Sequence, residues 1–234
     1  MWTVPKIWAE GDVYIIGGGS SLTKQFEIPE EVVDSVKYKK QPLSVYSPYM
    51  QKLHDKHVIG VNVAFLLGDW VDMVFFGDNK FYLAYREKIA VFPGLKVTCH
   101  AHFRNNKYGK EYVKYLMKHN NQPKGISTNP KKVSWNANSG AAAISVATNA
   151  GAKRIILLGF DMKLDEDGFQ HCHTEYRNKD NLKSSSKKAL PFARHLRGFG
   201  AIQQDAEKRG IEILNASENS RIKVFRKVNV KDLI

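Results

Sequence analysis

Cysteine is almost missing from this 234-residue chain, which holds only Cys99 and Cys172. Two isolated thiols imply no disulfide scaffold, so a reducing, cytoplasmic setting is the expectation. Long apolar runs are also missing. None approaches the roughly 20 residues that span a bilayer, and the opening MWTVPKIWAEGD lacks the apolar stretch of a signal peptide. There is no internal repeat and no low-complexity tract longer than Ser184–Ser186. A hydrophobic content of 43% with 25% charged residues excludes a disordered chain. Acidic residues are scarce, 23 against 36 basic ones, and the net charge is +13. Such a charge fits a solvated basic surface. It equally fits a field that draws in a polyanion: nucleic acid, an anionic membrane leaflet or a nucleotide-bearing substrate. Aromatic–basic interleaving of the RNP type and a helix-turn-helix signature are both absent.

What the chain does have is a series of apolar runs, each closed by small or polar residues. Strands are expected at Val13–Ile16, Val58–Val61, Met73–Phe76, Val91–Phe92, Lys96–Thr98, Ile155–Leu158 and Glu212–Leu214. Helices are expected around Glu30–Val36, over Tyr108–Lys118, from Ala141 to Asn149 with Gly151 as the stop, and over Lys187–Arg209. Strands alternating with helices, with apolar runs that lack polar alternation, predict a single α/β domain over residues 1–234. Its mainly parallel, doubly wound sheet would carry helices on both faces in a Rossmann-like manner, with an irregular, mobile excursion near 165–190.

Ligands of an open parallel sheet bind beyond the carboxyl ends of its strands. Those ends carry Gly17-Gly18-Gly19-Ser20-Ser21, then Asn62, then Gly77-Asp78-Asn79, then Gly159-Phe160-Asp161. The glycine run is neither a Walker loop, having no Lys-Ser/Thr after it, nor a G-x-G-x-x-G, having Leu at position 22. It reads as a tight turn or as room for a phosphate or ribose. Asn138-Ser139-Gly140 opens a helix and would grip an anion or simply cap the helix. Asp78 and Asp161 are either loop-fixing acceptors or ribose or metal ligands. His171-Cys172-His173 reads either as exposed loop histidines without a role or as the site of a general base, because imidazole titrates near working pH. The H-x-H spacing would suit zinc only if His100 and His102 joined it, so no metal is expected. Arg177, Lys179 and Lys183 follow and would neutralise a diphosphate or a leaving nucleotide. Trp70, Trp135, Tyr82 and Tyr85 read as core or pocket wall.

The order "IIGGGSSL", "VIGVNVAF", "WVDMVFFGDN", "NSGAAAISVATNAGAKRIILLGFDM", a histidine loop and "GIEILNASENS" resembles a Rossmann-like group. That group includes bacterial lipooligosaccharide sialyltransferases, the 6-hydroxymethylpterin diphosphokinase (MptE-like) family and uncharacterised phage and bacterial proteins. The likeness runs from residue 12 to about residue 220. The sialyltransferase branch implies a metal-independent glycosyltransferase with a CMP-type nucleotide-sugar donor and a glycan acceptor. Gly17–Ser21, Asn62, Asp78, Asn79, Asn138, Ser139, Gly140 and Asp161 would hold the nucleotide. His171 or His173 would deprotonate the acceptor, and Tyr176, Arg177 and Lys179 would face the phosphate or acceptor. The diphosphokinase branch implies ATP and Mg²⁺ at the same edge, with Asp78 or Asp161 on the metal. Two further classes stay open: a basic nucleic-acid-binding module, and a phage-type glycosyltransferase acting on modified DNA.

Overall fold

A computed structural model of the chain describes residues 1–105, 111–119, 125–176 and 190–234. Eight strands form one sheet. They are β1 (Asp12–Ile16), β2 (His57–Val61), β3 (Met73–Phe76), β4 (Leu95–Thr98), β5 (Val113–Tyr115), β8 (Arg154–Leu158), β9 (Glu212–Asn215) and β10 (Arg226–Lys227). Their spatial order is β10-β9-β8-β1-β2-β3-β4-β5, and every pairing is parallel. A separate two-stranded ribbon joins β6 (Met117–His119) to β7 (Lys132–Ser134).

The runs without polar alternation are explained by two cores. Val13 and Ile15 of β1 face one core and Tyr14 and Ile16 the other, all essentially inaccessible. One face is covered by α1 (Ser21–Gln25), α2 (Glu30–Lys37) and α3 (Asn79–Val91), the other by α4 (Ser139–Ala150) and α6 (Phe199–Glu207). Alanines 141–143 let α4 lie close to β1, β2 and β3. The chain builds outward from β1 to β5, then returns through α4 to β8 on the other side of β1. The order of strands therefore reverses between β1 and β8, where ligands of such sheets are received.

Three expected elements differ. Residues 113–119 are strands, not part of a helix over Tyr108–Lys118, whose residues 108–110 lie outside the described ones. Val113 and Tyr115 are buried on either side of a half-buried Lys114, a period of two that Tyr112, Tyr115 and Leu116 disguise as helical spacing. Val91–Phe92 ends α3 rather than forming a strand, since Phe81, Tyr82, Tyr85 and Ile89 make the helix's buried face. The long helix over Lys187–Arg209 is two helices, α5 (Phe192–Leu196) and α6, parted at Gly198, with residues 187–189 outside the described ones. Residues 165–176 are irregular, as expected, and the rest of that excursion to 189 lies outside the described residues. No helix among the described residues is long and apolar enough to cross a membrane.

Candidate functional site

Gly17 and Gly159 leave the sheet side by side, Gly17 N–H donating to Leu158 O (2.8 Å) and Gly19 N–H to Gly159 O (2.8 Å). None of Gly17–Gly19 has a positive φ. Glycine is required there by close approach. A Cβ on Gly17 or Gly19 would lie 2.7 Å from the Gly159 carbonyl, and one on Gly19 would meet Asp161 at 2.6 Å. A Cβ on Gly18 would lie 2.8 Å from His171 Nδ1 and 3.1 Å from His173 Nε2. The run thus lets three of the chain's own loops meet, and a cavity of about 820 Å³ opens beside it.

That cavity brings together Gly17–Gly19, Asn62, Asp78, Asn79, Asn138, Ser139, Gly140, Asp161, His171, His173 and Tyr176. Ser20 and Ser21 do not line it. Ser20 Oγ (3.2 Å), Ser21 N–H (2.8 Å) and the Ser21 hydroxyl all donate to Asp161, whose buried carboxylate is a loop-fixing acceptor. The serines face a second cleft of about 560 Å³ on the far side of Asp161. Arg177, Lys179 and Lys183 lie outside the described residues.

Asn138 is the α4 cap: its Oδ1 accepts from Gly140 N–H (2.8 Å) and Ala141 N–H (3.2 Å). Those two donors are therefore spent within the protein, and the Ser139 hydroxyl remains on the cavity wall. The same bonds fix the amide's orientation and leave Asn138 Nδ2 buried without a partner. Asn62, held at φ 54°, is its counterpart of opposite polarity: its Oδ1 is buried and unpartnered, while its amide N–H faces the Tyr176 hydroxyl. Burial pushes that hydroxyl's pKa up, against the N–H donors of Val63 and Asn62. Buried polar atoms are nearly always paired, and both of these orphans belong to residues that line the one cavity.

The histidine segment is pinned over the glycine loop. Cys172 N–H donates to Gly18 O (2.8 Å), the Tyr46 hydroxyl to Cys172 O (2.8 Å) and the Thr174 hydroxyl to Lys37 O (2.7 Å). Burial pushes the Cys172 thiol to about 12, which makes it no nucleophile. Rings 171 and 173 stack 5.1 Å apart at 8°, each edge-on to Tyr176. His173 is 4% exposed, and burial first, then His171 and Lys39, hold its pKa well below the ordinary value. Its Nδ1 accepts from Glu175 N–H (3.3 Å), so the neutral ring carries its proton on Nε2 and is a donor at that atom.

A depressed pKa has a sign. The unfolded chain binds the proton that folded His173 refuses, so stability is lost as pH falls below the ordinary histidine value of about 6.5. The melting temperature is expected to drop between about pH 7 and about pH 5. His173→Asn, which keeps an acceptor for Glu175 N–H, is expected to reduce that slope. An unchanged slope would contradict the buried neutral ring.

Sequence reasoning missed the cavity residues Ala137 and Met162, both with positive φ, and the α5 pair Arg194 and His195. His195 faces the cavity half-buried. Burial, then Arg194, hold its pKa down, while Asp78 pulls the other way. Of the four aromatics read as core or wall, Trp135 and Tyr85 line the cavity, Tyr82 is core, and Trp70 stacks on His54. No group of three or more His, Cys, Asp or Glu among the described residues is placed to hold a metal ion.

No family model matches the sequence, and no curated protein matches it. Solved structures match by fold. One is the MAf glycosyltransferase from Magnetospirillum magneticum AMB-1, with TM-score 0.59 and 13% identity over 100% of this chain and 36% of that one. Another is a point variant of the sialyltransferase CST-II in complex with CMP, with TM-score 0.51 and 13% identity over 93% and 86% of the two chains. The chain thus spans only about a third of the first structure's length. The fold is that of a Rossmann-like, sialyltransferase-like α/β protein.

Proposed function

We propose that this chain is a nucleotide-sugar-dependent glycosyltransferase that releases a pyrimidine nucleoside monophosphate, CMP by preference. The observation that carries the reading is a pair of buried, unpartnered amide atoms, Asn62 Oδ1 and Asn138 Nδ2, on two residues that line one cavity at the sheet's switch point. The likeness in fold to two glycosyltransferases, one with CMP bound, supports it. Neither of those two is a diphosphokinase.

In the proposed reaction the acceptor hydroxyl forms a bond to the anomeric carbon as the bond from that carbon to the phosphate oxygen breaks. The acceptor's proton goes to a histidine, and the nucleoside monophosphate leaves. The Ser139 hydroxyl and the His173 Nε2–H offset its developing charge, so no divalent ion is required. His195 is the proposed base. His173 presents a donor to the cavity, and His171 is stacked on it. The His195 ring makes no hydrogen bond to the described residues and is kept neutral by burial. The proposed acceptor is a hydroxyl of a glycan, and the net charge of +13 makes modified DNA the other acceptor to test.

A thermal-shift panel of CMP, CDP, UDP, GDP and ATP, each with and without Mg²⁺, tests this. At 100 times its Kd a ligand stabilises by about 2.7 kcal/mol, a rise of several degrees. A shift with CMP lacking metal is expected. A shift confined to ATP with Mg²⁺ would instead favour MptE-like phosphoryl transfer, and no shift would leave nucleic-acid binding to be tested.

A further inference from the structure

Trp135 is the one tryptophan that lines the cavity among the described residues, and its surroundings hold it there. Trp8 and Trp70 are stacked on His57 and His54. Trp135 instead has the Lys118 ammonium 3.7 Å from its ring centroid on one face. Its benzo edge occupies the space a side chain would take at position 77, since a Cβ on Gly77 would lie 2.2 Å from Cζ3 and 2.3 Å from Cη2. The ring is half-buried and lines the cavity.

The turn that follows is set by unusual backbone. Asn136 (φ 50°) and Ala137 (φ 55°) are successive left-handed residues, and alanine rarely adopts that conformation. The Asn136 amide locks the turn by donating to Gly125 O (3.0 Å) and Ser134 O (3.2 Å) and accepting from Gly125 N–H (3.1 Å). Backbone strain of this kind persists where the surroundings over-determine it. Here it carries the chain from the Trp135 ring to the buried Asn138, whose Nδ2 has no partner, within three residues.

We propose that Trp135 is the stacking platform for the nucleobase and, with the Asn138 Nδ2 donor, a determinant of base specificity; this rests on the nucleotide reading above. A planar π-face matches the half-buried indole that lines the cavity, and a carbonyl or ring nitrogen on the base's edge matches an unpaired N–H donor. A sugar-phosphate alone supplies no such face.

The test uses the full chain with CMP, UMP, AMP and ribose 5-phosphate. Bases that stack are expected to quench tryptophan fluorescence on binding, and ribose 5-phosphate is not. Trp135→Phe keeps an aromatic face, so calorimetric Kd for CMP is expected to stay within about threefold while the quench disappears. Trp135→Leu is expected to raise that Kd about tenfold or more. Melting curves identify a variant that fails to fold, and the quench in the unmodified chain then still decides. Parent-like Kd in a folded Trp135→Leu, or equal quenching by ribose 5-phosphate, overturns the platform alone. If calorimetry detects no nucleotide binding to the unmodified chain, the nucleotide reading falls and the platform with it.

Discussion

His195→Ala is expected to lower turnover by about 10²- to 10⁴-fold while nucleotide affinity stays within a few-fold, the signature of a lost general base. Burial and Arg194 hold the His195 pKa below the ordinary imidazole range, with Asp78 opposing them, so the ring is a free base at neutral pH. The catalytically competent form is the unprotonated one. kcat/KM should therefore rise with pH along a limb centred below about 6.5 and level off on the neutral side. His195→Ala should abolish that limb. His171→Ala should mainly raise KM for the donor, and His173→Ala should lower kcat as well because its Nε2–H faces the leaving phosphate. Neither should abolish the limb, since the pair sits over the glycine loop rather than beside Asp78. Full turnover in His195→Ala, with the limb lost in His171→Ala, would return the base to the 171–173 segment that the sequence resemblance implies.

The inner strands were legible because a parallel strand between two cores must be apolar at every position. Val13–Ile16, Met73–Phe76 and Ile155–Leu158 have no other reading in a chain this size, and Gly151 past α4 is an ordinary stop. The edge of the sheet was less legible. β5 is three residues long, and helical and strand periods cannot be separated over so short a run. Strand ends that turn small or polar located the cavity, since topology alone dictates that they converge. What each residue does there depends on partners far along the chain. Nothing near Asp161 says that Ser21, 140 positions away, occupies its carboxylate together with Ser20. Likewise Arg194 and His195 reach the cavity from α5, and the glycine at 198 is read only against Asn136 far up the chain, which a side chain there would meet at 2.6 Å.

Lys37→Met is expected to destabilise the protein by about 3 kcal/mol or more, lowering the melting temperature by roughly 10 °C in a chain of this length. The Lys37 ammonium reaches Asp165 at 2.8 Å with the two side chains 8% and 10% exposed, and lies 4.7 Å over the Phe169 ring. Removing it strands a buried carboxylate, which costs more than the pair itself contributes. Asp165 also accepts from Phe169 N–H (2.7 Å) and Asp167 N–H (3.1 Å), so that charge fixes the turn leading into His171 and His173. Adding Asp165→Asn keeps an acceptor for those N–H groups while removing the charge, and should recover part of the loss. Lys24→Met is the internal control. Its 3.6 Å pair with Glu166 is exposed at both ends, 72% and 93%, so its loss should move the melting temperature little. Equal effects from the two lysine variants would mean that water reaches Asp165 in solution. The histidine segment would then be held over Gly18 by the Cys172 N–H and by the Tyr46 and Thr174 hydroxyls. A large difference would make the Lys37–Asp165 pair the clamp that keeps His171 and His173 against the glycine loop, the side of the cavity assigned here to the leaving phosphate.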